Sequence, residues 1–148
     1  MMKYDFLDRD RLFRTIYGEA RGEEYLGMLA VGYVVCNRAK IAKAYMAKFN
    51  KNHPLFGSGT PASACTMPYQ FSCWNLDDPN LPVIIGLKED DPGIAVQLCV
   101  TAAVDALEEK QIDPSKGADH YHSIRVHPKW ADGQIPTVVI GSHVFYAL

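Results

Sequence analysis

The chain has 148 residues, the size of one compact domain. Hydrophobic residues make up 48% and charged residues 22%, which excludes a disordered chain. Fifteen basic residues face seventeen acidic ones, and a net charge of -2 excludes the broad basic footprint of a nucleic-acid binder.

The chain opens Met1-Met2-Lys3-Tyr4-Asp5, with charge where the apolar part of a secretory leader would begin. The expectation is a protein made in the cytoplasm and released later. Residues 8–17 predict a helix capped by Asp8, with Leu12, Phe13, Ile16 and Tyr17 on one face. Gly18-Glu19-Ala20-Arg21-Gly22-Glu23 follows, and its two glycines predict a break in the helix.

Residues 24–46 predict a second helix, with Leu26, Leu29, Ala30, Tyr33, Val34 and Asn37 as its stripe. Glu23 and Glu24 near its start, and Arg38, Lys40 and Lys43 toward its end, suit the helix dipole. The stripe weakens after Asn37, so a frayed or bent end is expected. Residues 28–36 are the most apolar run and fall far short of the roughly 18 needed to span a bilayer, so no stable membrane insertion is expected.

Residues 50–92 are punctuated by proline and glycine, yet carry Phe56, Tyr69, Phe71 and Trp74. Irregular chain rich in aromatics predicts a binding surface. Residues 81–87 read equally as a short strand or a helical turn. A third helix is predicted from residue 91 or 92 to 110, burying Ala95, Leu98, Cys99, Ala102, Ala103, Ala106 and Leu107. Two strand-like pieces close the chain, residues 119–122 and 137–145, with Trp130 in the turn-rich piece between them. The expected fold is α+β, mainly helical, with a small antiparallel sheet, and residues 1–148 form one domain.

Glu19 is the first candidate for chemistry. A carboxylic acid set against apolar walls resists ionisation and keeps its proton for a leaving oxygen. Tyr17, Phe71 and Trp74 are candidate walls. The plainer reading is a carboxylate that caps the next helix or pairs with Arg21. Gln70, Phe71, Ser72, Cys73 and Trp74 form a second cluster suited to sugar, since aromatic faces pack on pyranose C–H groups while amides and hydroxyls bind polar substituents. A core-plugging loop is the alternative.

His120, Tyr121, His122 and His143, with Asp119 beside them, form a third cluster. Three imidazoles and a carboxylate raise a zinc reading. Polar residues lining a cleft serve as well, and no H-E-x-x-H pair is present, so no metal or cofactor is expected. A Cys73–His nucleophile would make an amidase, but nothing local activates that thiol. Cys36 and Cys99 read as core residues; Cys65 and Cys73 lie in the loop region, where a disulfide is possible but not indicated.

These motifs resemble a known family. Thr15-Ile16-Tyr17-Gly18-Glu19-Ala20-Arg21-Gly22-Glu23, with Gly27, Ala30, Val31, Val34, Val35, Asn37 and Arg38, resembles the opening of the SleB-type cell wall hydrolases, the spore-cortex-lytic enzymes and their phage relatives. Gln70-Phe71-Ser72-Cys73-Trp74 matches the family's central motif. Asp119-His120-Tyr121, Pro128-Lys129-Trp130-Ala131 and Ile140-Gly141-Ser142-His143-Val144-Phe145-Tyr146 match its C-terminal motifs.

The resemblance implies a lysozyme-like fold and cleavage of the β-1,4 bond between N-acetylmuramic acid and N-acetylglucosamine in peptidoglycan glycan strands. It implies Glu19 as the catalytic acid. Gln70, Phe71, Ser72, Trp74, His120, Tyr121, His143 and Tyr146 become candidate substrate-binding residues. A single acid, with Asp119 the nearest second carboxylate, fits a lytic transglycosylase; a hydrolytic muramidase is the alternative, as is a metal- or cysteine-dependent amidase. Without a wall-binding domain or leader in view, the expected setting is a phage or prophage endolysin that depends on a holin or another export route.

Overall fold

The computed structural model describes residues 3–148. Helix α1 spans Phe6–Ala20 and starts earlier than its stripe suggests. Asp5, rather than Asp8, is the cap: its carboxylate accepts from the Asp8 N–H, and the Asp8 carboxylate accepts from the Asp5 N–H. The second Asp8 oxygen accepts from the Ala62 N–H at 2.9 Å and ties the helix to the irregular region.

Helix α1 also runs through Gly18 and Glu19, where a break was expected. Gly18 serves close approach instead of an unusual backbone angle. A Cβ there would lie 2.6 Å from Cys73 Cβ, so only glycine lets the 72–74 turn lie on the helix.

Helix α2, Tyr25–Phe49, is continuous beyond Asn37 and ends on Asn50 in the left-handed region at φ 54°. Residues 27–36 are all buried, so this is the central helix, covered on every side. A stripe analysis assumes one wet face and therefore places Leu26 inside, whereas it is exposed.

The irregular region holds two short helices, α3 at Pro61–Thr66 and α4 at Leu81–Ile85, plus a 3₁₀ turn at Ser72–Trp74. The helical reading of 81–87 is the right one. Arg14 pins this region to α1 by donating to the carbonyls of Ile84 and Leu87 while pairing with Asp10. Helix α5, Ile94–Leu107, is shorter than expected, and Val96 rather than Leu98 faces the core.

Strands β1 (His120–Ser123), β2 (Val138–Ile140) and β3 (His143–Tyr146) form an antiparallel sheet in the order β1-β3-β2. The expected single piece at 137–145 is thus two strands joined at Gly141 and Ser142. Tyr121 pairs with Phe145, and Ser123 with His143. Side chains alternate along a strand, so Tyr121, His143 and Phe145 share the inner face. His120, His122 and Tyr146 take the outer one. The architecture is mainly helical with a small antiparallel sheet, as expected. No described helix is long and apolar enough to cross a membrane.

Candidate active site

Glu19 lies in the last turn of α1, half-buried between that helix and the inner face of the sheet. The Tyr121 hydroxyl donates to Glu19 Oε1 at 2.6 Å. Burial raises the Glu19 carboxyl above its ordinary range. The Tyr121 hydroxyl and the thiol and backbone N–H of Cys73 oppose this by favouring the charged form, and the negative charge of Asp78 adds to the rise. Burial and the charge of Glu19 push Tyr121 well above its ordinary range, so this donor stays protonated. The arrangement is a carboxyl whose burial disfavours its charged form, oriented by a neutral phenol.

Behind Tyr121 stands His143, its ring tilted against the phenol at 4.9 Å between centroids. Burial holds His143 below the ordinary imidazole range, with the charge of Glu23 opposing. Its Nδ1 lies 3.8 Å from Glu23 Oε1, too far for a hydrogen bond. Glu23 is pinned differently: Ser142 donates to it through the backbone N–H at 2.8 Å and through the hydroxyl at 3.0 Å. A Cβ at Gly141 would sit 2.5 Å from Glu23 Oε1, so glycine makes room for this clasp.

A family model described as Cell Wall Hydrolase matches residues 22–146. The chain belongs to the cell wall hydrolase family. Two solved structures carry the same fold over nearly the whole length. The catalytic domain of the Bacillus cereus SleB protein is 25% identical with a TM-score of 0.69, covering 99% of this chain and 94% of that one. The catalytic domain of the germination-specific lytic transglycosylase SleB from Bacillus anthracis is 24% identical with a TM-score of 0.69, covering 99% and 98%. No curated protein matches the sequence. The fold is lysozyme-like, as it is in SleB.

In this cell wall hydrolase the family match begins three residues after Glu19, so geometry has to support that residue by itself. Within the match, Trp74 donates its indole N–H to Thr15 Oγ1 at 2.9 Å, one helical turn before Glu19. Gln70 accepts weakly from Arg38 Nη1 at 3.5 Å, and Ser72 is exposed at the start of the 3₁₀ turn. Phe71 is only 1% exposed and lies under the Arg38 guanidinium, so it belongs to the core.

His120 and Tyr146 stand on the outer sheet face, away from Glu19. His120 bonds Asp119 at 3.0 Å and packs on Trp130, while His122 Nε2 bonds the buried Tyr146 hydroxyl at 2.9 Å. His143 therefore faces away from His120 and His122. Among the described residues no three His, Cys, Asp or Glu side chains are grouped to hold a metal. Asp119 Oδ1 is taken up by His120 and by the Leu148 N–H.

All four cysteines are buried free thiols, so Cys65 and Cys73 do not pair. Burial and the neighbouring Glu19 push the Cys73 thiol far up, the reverse of what a thiolate nucleophile requires.

The sequence pattern named three residues without their roles at the site. Cys73 lies against the acid. Glu23 looks like an ordinary first-turn acid but holds the β2–β3 turn. Arg38 looks like a helix-end cation but is buried between the rings of Phe56 and Phe71, at 4.9 and 4.8 Å, and donates to the Asp119 carbonyl at 2.7 Å.

Proposed function

We propose that this cell wall hydrolase is a peptidoglycan glycosidase acting as a lytic transglycosylase between N-acetylmuramic acid and N-acetylglucosamine. The observation that carries the reading is Glu19 itself: a half-buried acid whose hold on its proton is strengthened by burial and whose carboxyl is oriented by Tyr121. In the first step Glu19 gives its proton to the glycosidic oxygen as the C1–O4 bond breaks and positive charge develops at C1. The resulting carboxylate then takes the proton of the muramic acid's own C6 hydroxyl. The C6 oxygen bonds to C1, giving a 1,6-anhydro end and restoring the acid.

This route needs one carboxyl. A hydrolytic muramidase needs a second, placed as a nucleophile or on a water. Asp119 is already occupied by His120 and the Leu148 N–H, which favours the intramolecular route. Gln70, Ser72 and Trp74 serve in this proposal as sugar-side contacts, with Tyr121 as the residue that positions the acid and His143 packed behind that phenol.

Mass spectrometry of muropeptides released from purified wall tests the reading. Anhydro ends, lighter by one water than reducing ends, are expected. Reducing ends alone would convert the enzyme to a muramidase, and release of free stem peptides would make it an amidase. The endolysin setting belongs to the same proposal. Expression with and without a membrane-permeabilising holin tests it, with lysis expected only when the holin is present.

A further inference from the structure

We infer that the loop before the 3₁₀ turn forms a second sugar subsite, with Tyr69 as a stacking platform for a residue of the glycan strand beyond the cleaved bond. The inference rests on the glycosidase reading and adds a binding site to it. Tyr69 and Trp74 line an open cavity of about 460 Å³ together with Thr66, Asn75 and Asp77. Aromatic surface beside an amide, a hydroxyl and a carboxylate is the chemistry that recognises a pyranose.

Tyr69 gives the cavity its direction toward a ligand. It is 86% exposed, and among the described residues its ring and hydroxyl have no partner. Its backbone nevertheless sits at φ 65°, in the left-handed region that a bulky side chain rarely adopts. A strained backbone that presents an unpartnered aromatic to water brings the folded protein nothing in packing. Such strain is found where function over-determines the conformation.

The subsite has a fixed relation to the acid. Trp74 is bonded to Thr15, and Thr15 and Glu19 are neighbours on one helix face, about 5–6 Å apart at Cβ. Trp74 thus ties the wall of the cavity to the helix that carries Glu19.

Peptide-free glycan strands titrated against the Glu19→Gln chain, followed by intrinsic tryptophan fluorescence, test this. Adding Tyr69→Ala is expected to weaken strand binding about tenfold, the loss of one aromatic anchor. In the otherwise unaltered enzyme, Tyr69→Ala is expected to raise KM for long strands by a similar factor, leaving kcat and the cleavage of a tetrasaccharide unchanged. Tyr69→Gly removes the strain, so it is expected to raise Tm while losing the same affinity.

Unchanged strand affinity in either Tyr69 variant would overturn the subsite. A loss confined to strands that still bear stem peptides would overturn the sugar assignment in favour of the peptide. The two readings fail separately. Absent cleavage with Tyr69-dependent binding removes the glycosidase and keeps the subsite. Normal cleavage with a Tyr69-independent KM removes the subsite and keeps the glycosidase.

Discussion

Glu19 and Glu23 are four residues apart in one short run, yet the fold uses them in opposite ways. Glu19 sits in the last turn of α1 and is met by a phenol, a thiol and a backbone N–H, too few donors to offset its burial. Glu23 lies past the end of that helix, where a backbone N–H and a hydroxyl of Ser142 clasp both its oxygens. The first is a carboxyl kept short of stabilising charge. The second is a carboxylate spent on architecture. Chemistry follows from which carboxyl is left under-solvated, not from which is more firmly held.

The sharpest way to break this contrast is Glu19→Gln. Lytic activity should fall about 10² to 10⁴-fold, as loss of a general acid does, and turbidity clearance of wall suspensions reads this directly. Stability should move the other way. The folded protein holds the Glu19 proton to higher pH than the unfolded chain does, so ionising this group costs stability as pH rises from the ordinary glutamate range through the raised value. Glutamine removes that cost. The gain in Tm should be present at pH 7 and shrink by pH 4; an equal gain at both would show that burial is not what unsettles Glu19.

Next in size is Glu23→Ala. Losing the Ser142 clasp should cost about 1–2 kcal/mol, measured by denaturant unfolding, because its hydrogen bonds are charge-assisted but partly open to water. Activity should fall through misplacement of the β2–β3 turn and of His143, with the pH profile unmoved. A shifted profile would make Glu23 part of the proton chemistry and dissolve the contrast.

The smallest effects come from the groups that tune Glu19. On the proposed mechanism activity needs the protonated acid, so it is expected to decline as Glu19 ionises. Tyr121→Phe removes a bond that favours the charged form and should move that decline to higher pH. Asp78→Asn removes a negative charge that favours the neutral form and should move it to lower pH. Shifts of the same sign would mean that the two side chains act through the fold instead of on the carboxyl.

The long helices were legible in the sequence because α1 and α5 bury a face at helical spacing and α2 is a long run rich in apolar residues without proline. The short ones, α3 and α4, were not, because they are held by distant partners: Asp8 receives the Ala62 N–H, and Arg14 donates to the carbonyls of Ile84 and Leu87. Glu19 was singled out by its glycine-flanked motif, and Gly18 proved to matter for contact with Cys73 rather than for a break. The role of Glu23 depends on Ser142, 119 residues away, and no local pattern encodes that. The placement of His143 depends on strand register: pairing Ser123 with His143 puts this imidazole beside Tyr121 and away from the other two.

The strand order has a consequence for biosynthesis. The middle strand, β3, is the last of the three to be translated, and both neighbours hydrogen-bond to it alone. A ribosome that has released the chain only as far as β2 has already delivered the acid and the phenol that orients it, but not the strand that seats the phenol. On the proposed mechanism, a nascent chain therefore lacks lytic competence until β3 is available to pair with β1.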